Sequence, residues 1–254
     1  MMKTSRLACL VASVMLLPAA SWAGGGRSVE PFDPGLKVFG KTYSEWAEAW
    51  TDWAYSYPFA TSPILDEDGS YCAQGQKGKV WFLAGSFFNE VPYPYERHCT
   101  IPPGKALFFP IVNTLTFKPE FPDPESGNAH CLGYETDIEQ TRCDIYTDLL
   151  KYGPDPDAET LPVLRVEVNG TAIADPFGYR VESAPGGYTF QLLKGSILEE
   201  VGYTPGPRPS AIAGGYWVML PPLGPRENQV HIYAKNTSGE VLDVTYHITT
   251  RGSQ

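Results

Sequence analysis

The 254-residue chain has little positive charge, few histidines and no long apolar run beyond its first residues. Each shortage excludes something. The 19 Lys and Arg stand against 29 Asp and Glu, a formal net charge of −10. That disfavours a nucleic-acid backbone or an anionic membrane as the main partner. No segment after residue 23 supplies the roughly 20 consecutive apolar residues that a spanning helix needs, so no membrane span is expected. The histidines His98, His130, His231 and His247 form no HExxH or HxH pair, so they carry no local metal signature; His98 and His130 read as loop residues, and His231 and His247 alternate outward on strands. No GxSxG or SxxK stands in a suitable context for acyl transfer. In GQKGK the first glycine of a phosphate loop would fall at Ala73, and Val80 replaces the Ser/Thr that holds magnesium. Asp66, Glu67 and Asp68 before Gly69 lack the spacing of a calcium loop and read as an Asp-Gly turn. None of these patterns calls for a cofactor or a metal.

What is present begins with an export signal. Lys3 and Arg6 precede an apolar stretch from Leu7 to Leu17, and Ser21-Trp22-Ala23 offers small residues at a cleavage site. Residues 1–23 therefore read as a cleavable signal peptide for a periplasmic or secreted protein. An anchor would need a longer run, and Pro18 interrupts this one. Four cysteines follow the signal: Cys72, Cys99, Cys131 and Cys143. An even count in an oxidising compartment predicts two disulfides. The pairing Cys72–Cys99 and Cys131–Cys143 is favoured because each closes a local loop. A four-cysteine zinc site would want C-x-x-C spacing, which is absent.

Residues 24–37 are rich in Gly and Pro and read as a flexible lead-in, with residues 38–254 as one domain. Thr42 and Glu45 form a capping box. Tyr43, Trp46, Ala47, Trp50, Trp53, Ala54 and Tyr57 then recur on one helical face, and Pro58 ends the helix. Glu45, Glu48 and Asp52 fall on the opposite face, expected to be solvated. The tryptophan stripe is either core or a stacking platform for a flat ligand; its alanines favour core. The runs 79–88 and 105–117 read as strands buried on two faces, with Pro110 marking an edge or a bulge. A capping box at Thr136 and Glu139 opens a second helix with Ile138, Ile145, Leu149 and Tyr152 inward. From residue 163 the pattern is β throughout, and Asn169-Gly170 signals a type I′ hairpin. The fold class is mainly β: a two-sheet antiparallel β-sandwich with an N-terminal Trp-rich helix and a second helix in a long connection.

Three motifs have a family likeness. They are W-x-x-x-W-x-x-W (Trp46, Trp50, Trp53), C-x-x-x-Q-x-G-x-V-W-F-L-x-G (Cys72 to Gly85) and C-x-I-P-x-G-K-x-L-x-x-P-x-x-N (Cys99 to Asn113). With G-Y-W-V-x-L-x-P-L (Gly215 to Leu223) and D-V-T-Y-x-I-T (Asp243 to Thr249), the chain resembles a family of exported bacterial proteins. The resemblance implies a bacterial source and export but no chemistry, since tryptophan, glycine, proline and cysteine speak for a shared fold.

The expected function is a non-catalytic binding or interaction module for a small molecule, a glycan or other polymer, or a protein. Alternatives are an extracytoplasmic hydrolase working through acids and a structural envelope or matrix protein. The binding candidates are Asp66, Asp68, Gln76 and Trp81, on the polar loop tethered at Cys72 and the strand that follows it.

Overall fold

The computed structural model describes residues 29–86, 94–117, 137–150 and 162–250. Helix α1 spans Tyr43–Ala54. Strands β1 (Val80–Phe82), β2 (Tyr95–Ile101) and β3 (Ala106–Thr116) lead to helix α2 (Asp137–Leu150). There follow β4 (Val163–Val168), β5 (Thr171–Ala172), β6 (Arg180–Glu182) and β7 (Tyr188–Leu192). A short helix α3 (Ile197–Glu200) precedes β8 (Gly206–Leu220), β9 (Glu227–Lys235) and β10 (Val241–Thr250). Sheet 1 has the order β1-β3-β8-β6, with β7 also paired to β8; sheet 2 has the order β2-β10-β9-β4-β5. Most pairings are antiparallel, but β1 lies parallel to β3 and β2 parallel to β10. The mainly β, two-sheet architecture with its Trp-rich helix is the one the hydrophobic pattern predicts. Among the described residues no helix is long and apolar enough to cross a membrane.

Sheet 1 is the middle layer, which explains its continuous apolar runs. Leu107, Phe109, Ile111, Tyr216, Val218 and Leu220 point toward sheet 2 and join its inward residues Val166, Val230, Ile232, Val244 and Ile248 in one core. Their alternates Ala106, Phe108, Ala213, Trp217 and Met219 pack against α1. A strand buried on both faces cannot alternate polar and apolar residues. Pro110 sits at a bulge, where the register of β3 on β8 shifts between Pro110 and Val112. The bulge lets a residue without an N–H stand inside a central strand.

The ends of α1 form as the sequence predicts. Thr42 accepts from the Glu45 backbone N–H, and the Glu45 carboxylate accepts from the Thr42 backbone N–H. The three tryptophans each spend their indole N–H on a backbone carbonyl: Trp46 on Val38, Trp50 on Leu83 and Trp53 on Gln74. Trp50 is 2% exposed and meets Trp217 edge to face at 5.4 Å, while Phe108 stacks on Trp217 at 5.5 Å. The stripe is core and offers no open platform.

Three details depart from expectation. The described part of the lead-in is docked rather than flexible: the Phe32 N–H donates to Met219 O, and Tyr43 donates its hydroxyl to Phe32 O. Strand β8 begins at Gly206, five residues before its buried apolar run opens at Ala211, because Pro207 and Pro209 disguise its first part as a turn. Strand β2 was masked in the sequence by Arg97, a charged residue at an inward position.

Candidate functional site

The outer face of sheet 2 is polar, and strand alternation decides what it displays. In register, His247 of β10 lies between His98 of β2 and Gln229 of β9. One rung along, Thr249 lies between Thr100 and Glu227. One rung back, Thr245 lies between Glu96 and His231, which pairs in turn with Glu167 of β4. Three of the four histidines thus share one face. A groove of about 510 Å³ opens over the first two rungs, lined by His98, Thr100, Glu227, Gln229, His247 and Thr249.

The β4–β5 turn forms one wall of the groove. Asn169 and Gly170 both hold positive φ, 53° and 76°, as a type I′ hairpin requires. The Asn169 backbone N–H donates to Gln229 O, and its side-chain oxygen accepts from the Gln229 N–H, both at 2.9 Å. Its Nδ2 donates to Asn228 Oδ1 at 3.1 Å, and Asn228 Nδ2 donates to Gly224 O and Arg226 O. These amides build the wall and are not available to a ligand.

The outer face carries two imidazole arrangements, one in the groove and one a rung beyond it. The His98 and His247 rings stack at 4.6 Å with 13° between planes, and His247 Nε2 is hydrogen-bonded to the Glu96 carboxylate. His231 lies between Asp243 (Nε2 to Oδ1, 2.7 Å) and Glu167 (Nδ1 to Oε2, 3.7 Å). Arg165 covers the neighbouring Tyr233 ring at 5.0 Å. Among the described residues no group of three or more His, Cys, Asp or Glu side chains is arranged to hold a metal ion. His98 was expected in a loop. The alternation of Tyr95, Cys99 and Ile101 was the signal that could have placed it on a strand face.

A second feature lies on α1. Glu48 and Asp52, one turn apart, were expected on a solvated face. Asp52 keeps an exposed outer edge, yet burial of the rest of the group and then the Glu48 charge raise its pKa to about 6. Burial also raises Glu48, opposed by its hydrogen bond to Ser183. Tyr188 of β7 is pushed far up, first by burial and then by these two carboxylates.

The four candidates read from the sequence serve the fold. Asp66 is 2% exposed, and its carboxylate accepts from the Gly69 and Tyr71 backbone N–H groups. Asp68 is exposed and accepts from the Ser70 N–H and hydroxyl, which hold its pKa below the usual range. Gln76 acts as a substitute strand: its Oε1 accepts from Phe82 N–H, and its Nε2 donates to Phe82 O and Cys72 O. Trp81 is 6% exposed in the inter-sheet core, so it offers no wall to a solvent-facing site.

Cys72 and Cys99 are bonded, with Cα atoms 6.0 Å apart. Cys143 is also disulfide-bonded. The expected partner, Cys131, lies outside the described residues, as does the signal segment 1–23. No protein-family model, curated protein or solved structure matches the chain.

Proposed function

We propose that this protein is an exported, non-catalytic binding module that grips a polyhydroxylated polymer, a glycan, on the outer face of sheet 2. The observation that carries the reading is the groove over β2, β10 and β9, lined by hydroxyl, amide, carboxylate and imidazole groups on rigid strands. Sugars are recognised by such planar polar groups, and strands hold them with little ordering cost. The face continues along β9 from Glu227 to Tyr233, about 20 Å, so it suits a chain better than a single small molecule. Disulfides at Cys72–Cys99 and at Cys143 support export through a cleaved signal. The test is a thermal-shift screen of the oxidised protein against soluble glycans, with Gln229→Ala as control. A ligand of the native state raises the melting temperature. A shift that survives Gln229→Ala unchanged would place binding elsewhere.

A second reading, a hydrolase working through acids, has one observation in its favour. Asp52, with its pKa raised to about 6, stands one helical turn from Glu48, as an acid–base pair would. Hydrolysis of a glycan by the wild type, abolished in both Asp52→Asn and Glu48→Gln, would favour it over the binding module.

A further inference from the structure

We infer that the hairpin tip at Phe39-Gly40, with the lysines around it, docks on the surface of an anionic lipid membrane. The tip lies against α1 and sheet 1, apart from the groove, and the inference is independent of the glycan reading.

The tip is built under strain. Val38 and Lys41 pair as an isolated bridge, N–H to carbonyl both ways at 2.8 and 3.2 Å, and Phe39 and Gly40 turn the chain between them. Both hold positive φ, 51° and 87°. Glycine or asparagine ordinarily fills the first such position, because a Cβ there crowds the following carbonyl. A phenylalanine in this place carries strain that interior packing does not offset. Its ring meets the partly buried Phe32 edge to face at 6.4 Å and is 43% exposed, and Leu36 is 57% exposed. The tip is nonetheless held firmly: Val38 is buried, and its carbonyl accepts the Trp46 indole N–H at 2.8 Å. A rigid tip presents its apolar side chains with little ordering cost on binding.

Four lysines surround it. The Lys79 ammonium lies over the Phe39 ring at 5.7 Å, and that of Lys41 over Trp46 at 5.4 Å. Lys105 stands beside Lys79, since Lys79 O accepts from Ala106 N–H and Lys105 Nζ donates to Gly78 O. Lys37 completes the group: with Lys41 it lowers the Glu45 pKa further, after the Thr42 cap has lowered it first. None of the four is ion-paired with a described carboxylate. The other acids of this segment, Glu30 and Asp33, lie toward Tyr179, whose pKa they raise after burial has raised it. The chain's net charge of −10 does not forbid the contact, because charges more than about 8–10 Å away are screened at physiological salt.

The combination selects a lipid surface. Leucine and phenylalanine at a tip enter the boundary between headgroups and acyl chains, while lysine stems lie along the apolar surface and carry their charges to the phosphates. A soluble polyanion would engage the lysines and leave Leu36 and Phe39 in water.

The experiment is co-sedimentation of the exported, oxidised protein with vesicles of phosphatidylcholine alone or mixed with phosphatidylglycerol. Binding is expected to the mixed vesicles only, at about 0.05 M salt and not at about 0.5 M. Phe39→Gly should weaken it about tenfold with an equal or higher melting temperature, since glycine adopts positive φ freely. Lys79→Ala should weaken it about fivefold. Equal binding to both vesicle types, binding indifferent to Phe39→Gly, or no binding would each overturn the inference. So would retention on dextran sulfate, a soluble polyanion, without binding to the mixed vesicles.

Discussion

Arg97 is the residue on which the region around the groove depends. It is wholly buried, and its guanidinium donates to four backbone carbonyls, those of Ile64, Asp66, Ala84 and Gly85, and to the Tyr246 hydroxyl. Its plane also lies over the Tyr95 and Tyr246 rings. A buried cation is tolerated only when its donors are satisfied, and here backbone oxygens satisfy them. Arg97→Met should cost more than about 3 kcal/mol in urea unfolding, because the acceptors lose their donors. Arg97→Lys should fare little better, since an ammonium cannot reach a fork of acceptors. Trp50→Ala should cost about 3–5 kcal/mol, as expected for a large side chain removed from a packed core.

Asp52 gives a residue-scale prediction with a sign. Its ordinary pKa is 3.8, and in the folded chain it is about 6. Folding therefore favours the protonated form. The associated stability is present below about pH 4 and is lost as pH rises through about 6. Asp52→Asn should leave the melting temperature near pH 4 almost unchanged and raise it at pH 7.5. Equal effects at the two pH values would show that the group is not shifted.

At the scale of elements, β2 is the strand that builds the site, and the loop before it secures its outer edge. The His98 backbone N–H donates to Asp68 O at 2.7 Å. Gly69 lies so close that a Cβ there would come within 2.5 Å of the His98 carbonyl, and its φ is +96°. The Cys72–Cys99 bond closes the same loop. Covering the edge of β2 prevents it from pairing with another chain. Replacing both cysteines by alanine should cost about 3–4 kcal/mol by chain entropy. It should also speed hydrogen exchange at His98 more than at Val230, which lies inside the sheet. Gly69→Ala should weaken the groove by moving β2, a change visible as altered His98 and His247 ring shifts in NMR spectra.

At the scale of the whole molecule, sheet 1 is shielded on one side by α1 and on the other by sheet 2. Its central strands should open only in global unfolding. The slowest-exchanging amides are expected at Phe108, Phe109, Val218 and Met219, and the faster ones on β5 and β6. Exchange mass spectrometry checks this directly. The arrangement also separates stability from the proposed recognition: the apolar layers lie on one side of sheet 2 and the groove on the other. Substitutions at Glu227 or Gln229 should therefore alter melting by no more than about 0.5 kcal/mol in free energy.

Local rules sufficed wherever a short stretch decides its own structure. Thr42 and Glu45 cap α1, Asn169-Gly170 turns β4 into β5, Pro110 forces a bulge and the tryptophan stripe faces the core, all from spacing and backbone chemistry. The outward positions of His231 and His247 were legible for the same reason. The site was not, because it depends on which strands become neighbours. Arg97 interrupts the apolar alternation of Tyr95, Cys99 and Ile101 on β2, since its inward place is tolerable only once the carbonyls of Ile64, Asp66, Ala84 and Gly85 converge on it. Asp66 and Gln76 looked available because their backbone partners, though close in sequence, are presented only by the folded loop, and Trp81 because its burial follows only from the packing of the two sheets. The sequence alone determined most of the elements and their buried faces, with β2 and the start of β8 as exceptions. Only the tertiary structure placed His98 beside His247, 149 residues later, because parallel pairing of distant strands follows from burying both sheets together and from no local signal.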